Sequence, residues 1–181
     1  MLPYTASTHG ADTLLRFNHA LLSQALALAA LHEAPGAPAY ERPVGAHLRH
    51  VIEHYEALLM PGRGRVVDYD ARQRDAALER SPQLARRRLV ALQQRLGTAE
   101  LDLEQPLAVR GLAGLAGEFN FEVESSLGRE LVFVASHAVH HYALLAAHLR
   151  QLGLPVPEGF GLAPATVAHA RRIEQPIQET A

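Results

Sequence analysis

Eleven histidines and no cysteine stand among the 181 residues of this chain. Without thiolates, imidazole is the side chain through which it would hold a transition metal. His137 and His141 lie four residues apart in a segment that reads as helix from Ser126 to Gln151. At about 1.5 Å rise per residue their side chains share one face, about 6 Å apart along the axis. That spacing is the usual way for one helix to offer two imidazoles to one ion. Both fall on the apolar stripe of Leu127, Leu131, Val134, Leu144 and Leu145, so they equally read as core histidines bonded to carbonyls or tyrosines. A buried imidazole needs a partner in either case, and one metal would serve both. His140 points to the side and reads as exposed or interfacial.

A second group, His47, His50 and His54, lies in a predicted helix from Pro43 to Met60. Its apolar stripe is Val44, Leu48, Val51, Tyr55 and Leu58. At about 100° per residue His47 and His54 flank the stripe and His50 lies further round. Periodicity therefore favours His47 or His54 as the inward ligand and leaves the choice between them open. His50 to His54 also spells His-x-x-Glu-His, a pattern with two zinc ligands and a glutamate base. Proteins using it are larger chains with a distant carboxylate ligand, so a metalloprotease is set aside. If every histidine were protonated the formal charge would move from −2 to +9, which ties the charge state to mild acid.

The elements that must position these side chains follow from periodicity and from stop signals. Residues 12 to 34 read as a helix, with Asp12 as N-cap and Pro35, Gly36 and Pro38 as the stop. Pro61, Gly62 and Gly64 end the second helix. Asp68 to Asp75 alternates in charge sign and reads as a salt-bridged surface connector. Ser81 and Pro82 start a third helix that reaches Leu96, with Arg86, Arg87 and Arg88 as a solvated face. Leu101 and Leu103 alternate with acids, as Phe119, Phe121 and Val123 alternate with Asn120, Glu122 and Glu124. Alternation predicts two short strands able to pair as a hairpin. Gly111, Gly114 and Gly117 match neither phosphate-loop spacing, so nucleotide binding has little support. The fourth helix is the longest and is followed by Gly153 and Pro155, with one short helix expected from Pro164 to Arg172.

Four helices of this length predict an all-α fold: an antiparallel four-helix bundle with a small β-hairpin-like insertion between helices 3 and 4. Residues 1–174 are expected to form one domain and 175–181 a disordered tail. Basic and acidic residues number 17 and 19, which argues against a nucleic-acid partner. The N-terminus lacks a signal-peptide pattern, and the longest apolar stretch, Ala25 to Leu31, is shorter than a membrane span. A cytoplasmic location is the expectation.

Two stretches resemble the DinB/YfiT-like superfamily of small helical bundles. Pro43-Val-Gly-Ala-His-Leu-Arg-His50-Val-Ile-Glu53 is similar to that family's second-helix pattern. Ser136-His137-Ala-Val-His-His141, continuing through an apolar helix to Leu152 and Gly153, is similar to its His-x-x-x-His pattern. The resemblance covers roughly residues 10 to 155 and shifts the choice in the second helix to His50. It implies a divalent metal ion (zinc, nickel or iron) held by His50, His137 and His141, with water in the open positions. It further implies an enzyme activating water or a low-molecular-weight thiol, a hydrolase or thiol transferase acting on a small molecule. Glu53 is then a candidate partner of His50 or an exposed acid. The resemblance also suggests a homodimer. The alternative function is a non-catalytic dimeric bundle responsive to metal or pH.

Overall fold

The computed structural model describes residues 8–61, 65–98 and 101–174; the expected helix stops at Gly62 and Gly64 and the expected tail 175–181 lie outside these. Four long helices carry the core: α1 (Thr8–Leu31), α2 (Ala46–Leu59), α4 (Pro82–Thr98) and α5 (Leu127–Gln151). A helical turn, Glu41–Gly45, leads into α2, and the short helices α3 (Ala76–Arg80) and α6 (Pro164–Glu174) complete the helical part. Both α1 and α2 pack against α4 and α5. The apolar stripes meet between them, with Leu22, Leu48, Ile52, Leu89, Leu131 and Leu145 fully buried. The segment Gly10–Leu31 is long and apolar enough to cross a membrane by length and composition. In this fold its Leu21, Leu22, Ala25, Leu28 and Ala29 are part of the buried core.

The all-α expectation is corrected by the sheet. Three strands, β1 (Val66–Asp68), β2 (Pro106–Ala113) and β3 (Phe119–Ser126), form one mixed sheet in the order β1-β2-β3. β2 and β3 are an antiparallel pair with Val109 opposite Val123, and β1 lies parallel to β2 with Val67 opposite Val109. Parallel neighbours need a crossover, and α3 and α4 provide it. Among the described residues the protein is therefore a mixed structure of six α-helices and three strands and not a four-helix bundle with an inserted hairpin. A three-residue strand is too short to show alternation, and its partner residues lie 42 positions further along the chain, which is why local pattern missed it.

β2 also differs from the expected strand at Leu101 and Leu103. Those leucines sit in a turn that caps α5, where Leu103 O accepts from Gly128 N at 2.8 Å and Gln105 O from Leu127 N at 3.0 Å. The true strand runs through Gly111, whose missing side chain is needed: a Cβ there would sit 2.8 Å from the Phe121 ring opposite. At the start of α5 the Ser126 side chain accepts from Arg129 N, and Ser81 Oγ accepts from Leu84 N at 3.1 Å to start α4. The first helix begins at Thr8, ahead of the expected cap Asp12.

Candidate metal centre

The packing of α2 against α5 brings the two histidine groups face to face. His50, His137 and His141 come together: ring centroids are 5.0 Å apart for His50 and His137, 4.7 Å for His50 and His141, and 4.6 Å for His137 and His141. His54 joins them, 4.2 Å from His50 and 4.3 Å from His137 by ring centroid. One ligand atom from each of His50, His54 and His137 lies within 4.8 Å of the others. Nitrogens around a tetrahedral zinc stand about 3.4 Å apart, so modest side-chain rotations would close the set. His47 extends the cluster with Nδ1 at 2.7 Å from His141 Nδ1, whose Nε2 in turn lies 3.1 Å from His137 Nε2. His140 is exposed and stays outside, 5.4 Å from His141 by centroid.

Hydrogen bonds settle two tautomers. His54 Nδ1 lies 2.6 Å from the His50 carbonyl, which can only accept, so Nδ1 carries the proton and Nε2 is left with its lone pair. A ring N–H held by a backbone carbonyl is the usual support of a metal-bound imidazole. Arg72 Nη1 stands 3.2 Å from that Nε2, and Arg72 Nη2 stands 3.3 Å from His50 Nδ1. Guanidinium cannot accept, so His50 also turns a lone pair toward Arg72. The charge state agrees with this picture. Burial, then neighbouring imidazoles and Arg72, pushes His50 and His54 down to about 3, and burial and its histidine neighbours do the same to His141. His47 and His137 are lowered too, chiefly by burial. All five are neutral near pH 7, the form that binds metal.

The segment after β1 supplies the cluster's cover: Asp70, Ala71, Gln73 and Arg74 of the expected surface connector are exposed and Asp75 pairs with Arg88, but Tyr69 and the Arg72 side chain turn inward. Tyr69 is buried and stacks on His54 at 5.4 Å between centroids. Its hydroxyl donates to Glu130 at 2.9 Å, and Glu130 also accepts from Ser125 Oγ and Arg129 Nη1, each at 2.6 Å. Phe133 stacks on His137 from α5. Glu53 is neither an exposed acid nor bonded to His50. It is 4 % exposed and accepts from Asp75 N at 2.6 Å and from Arg49 at 3.1 Å, tying the connector to α2. With its carboxylate so engaged, Glu53 is not placed as the base that the His-x-x-Glu-His spacing would require. Beside the imidazoles lies a cavity of about 550 Å³ whose walls include Tyr69, Phe121, Phe133 and Arg72.

Arg72, Tyr69 and Glu130 were not foreseen as site residues. Glu130 alone left a signal in the sequence: an acid on the buried side of an apolar helix, next to Leu131.

No family model matches the chain, and no solved structure matches it. Among curated proteins it is similar to FK506-binding protein 5 of Rhizopus delemar, with 33% identity over 121 residues, 65% of this chain. The chain spans only about a third of that relative's length, 31%. This similarity overturns the resemblance to the DinB/YfiT-like superfamily. The expectations attached to it, a metal-activated hydrolase or thiol transferase and the dimeric metal- or pH-responsive bundle, are withdrawn with it. The histidine cluster does not depend on that resemblance, because it is a property of the packed side chains.

Proposed function

We propose that this chain is a domain that holds one divalent transition-metal ion between α2 and α5. The observation that carries the reading is the convergence of His50, His54 and His137, whose ligand atoms lie within 4.8 Å of one another, with His141 directly beside them. An all-imidazole set suits zinc, nickel, iron or copper and disfavours calcium and magnesium, which prefer oxygen. When bound, the ion would supply a Lewis-acidic centre next to the cavity. His54 is fixed for this by the His50 carbonyl and by Tyr69, which Glu130 holds in place. Cobalt(II) titration tests the reading. Visible d–d absorption that saturates at one equivalent and is lost in His54→Ala is expected; no visible band from any added cobalt would contradict it.

The relative's name supports a second reading, in which the cavity seats FK506. The aromatic walls Tyr69, Phe121 and Phe133 give that reading its physical basis, although Arg72, Arg110, Arg129 and Glu130 also line the cavity. Saturable calorimetric binding of FK506 that is lost in Phe133→Ala is the outcome it requires. The absence of heat up to the solubility limit would remove it.

A further inference from the structure

Arg72 stands against ring nitrogens of two candidate metal ligands. Its Nη1 and Nη2 donate to His54 Nε2 and His50 Nδ1, so one guanidinium covers the lone pairs of two candidate ligands. The side chain is only 9% exposed, yet its own pairing is poor. Nε is buried with no hydrogen-bond partner, and the nearest carboxylate oxygen, Glu53 Oε2, is 3.9 Å away. A buried guanidinium N–H without a partner is costly, and a carboxylate is its best acceptor. A shift of about 1 Å toward Glu53 would bring Nε to hydrogen-bond distance of a charged acceptor. Movement in that direction would lengthen both contacts to the imidazoles, and a metal on either nitrogen would require the guanidinium to withdraw further still.

We infer that Arg72 is a built-in competitor that sets the metal affinity of the histidine cluster, occupying it in the metal-free chain and withdrawing toward Glu53 on loading. The inference rests on the metal reading above and adds what opposes binding. Two mechanisms make the guanidinium oppose it. Each charged hydrogen bond to an imidazole must be given up, and a fixed positive charge beside the site repels the incoming cation. Loss of either one at the level of a single charged hydrogen bond corresponds to about tenfold in affinity.

The test compares zinc affinity, by competition with a chromogenic chelator, in the wild-type chain, Arg72→Gln and Arg72→Lys. Thermal melting of each metal-free variant checks that it folds. Arg72→Gln removes the charge and keeps a polar group, and it should bind zinc at least about tenfold tighter. Arg72→Lys keeps the charge but cannot span both imidazoles, and it should fall between the two. Equal or weaker zinc binding by a folded Arg72→Gln would overturn the inference while leaving the metal reading intact. Failure of all three chains to bind zinc would overturn both.

Discussion

Zinc bound between α2 and α5 should stabilise the fold, and the size of the effect can be worked out. A ligand at about 100 times its dissociation constant adds about 2.7 kcal/mol to the free energy of unfolding. For a chain of this size each kcal/mol moves the melting temperature by about 2–4 °C, so a rise of about 5–11 °C is expected. His137 is central to the cluster, with His54 at 4.3 Å, His141 at 4.6 Å and His50 at 5.0 Å by ring centroid. A four-ligand zinc site contributes about 10–16 kcal/mol in all, so one ligand accounts for about 3 kcal/mol, or somewhat over 100-fold in affinity. At the same zinc concentration His137→Ala would then be near its own dissociation constant. It would gain about 0.4 kcal/mol, a rise of about 1 °C. His140→Ala, altering the exposed histidine outside the cluster, should keep the full wild-type shift. Differential scanning calorimetry with and without zinc reads all three. Equal shifts in the wild type and His137→Ala would show that His137 does not hold the zinc, and no shift in the wild type would show that no zinc binds the folded chain.

Acid should destabilise the metal-free protein. His54 is 5 % exposed and its pKa is pushed down to about 3, below the unfolded value of 6.5. The unfolded state therefore binds the extra proton first, and stability is fully present above about pH 6.5 and lost as pH falls toward 3, by up to about 1.4 kcal/mol per pH unit from this residue. Urea melts between pH 7 and 5 should show that decline, and a flat profile would contradict the burial argument. Tyr55→Phe should cost about 1–3 kcal/mol in a urea melt, because Tyr55 donates to Asn18 Oδ1 at 2.8 Å and both residues are fully buried, which leaves the amide oxygen without its donor. Gly45→Ala should cost about 1–3 kcal/mol through overpacking, since a Cβ would lie 2.1 Å from the Glu79 carbonyl oxygen; a wild-type melting temperature would show that α3 can move aside.

Periodicity was enough to place the four long helices, because each buries one face and the apolar spacing records it. The same spacing brought forward His54 and His47, which flank the α2 stripe, and the resemblance brought forward His50; the packed structure gathers all three near α5. The cover of the cluster was hidden for a physical reason. Tyr69 and Arg72 lie in a run of alternating charge that looks solvated along the chain. They are buried because β1 pairs with residues 42 positions further along the chain and lays the following loop over the imidazoles. Glycines disguised β2 in the same way, since Gly111 is demanded by Phe121 across the sheet and not by any local turn.

We propose that the imidazoles between α2 and α5 form a metal site. Its most direct test is the metal content of the purified, tag-free protein by mass spectrometry, as isolated and after incubation with zinc, nickel or iron and desalting. One equivalent per chain, lost in the His54→Ala and His137→Ala variants, is expected. Retention of no ion under any of these conditions would contradict it.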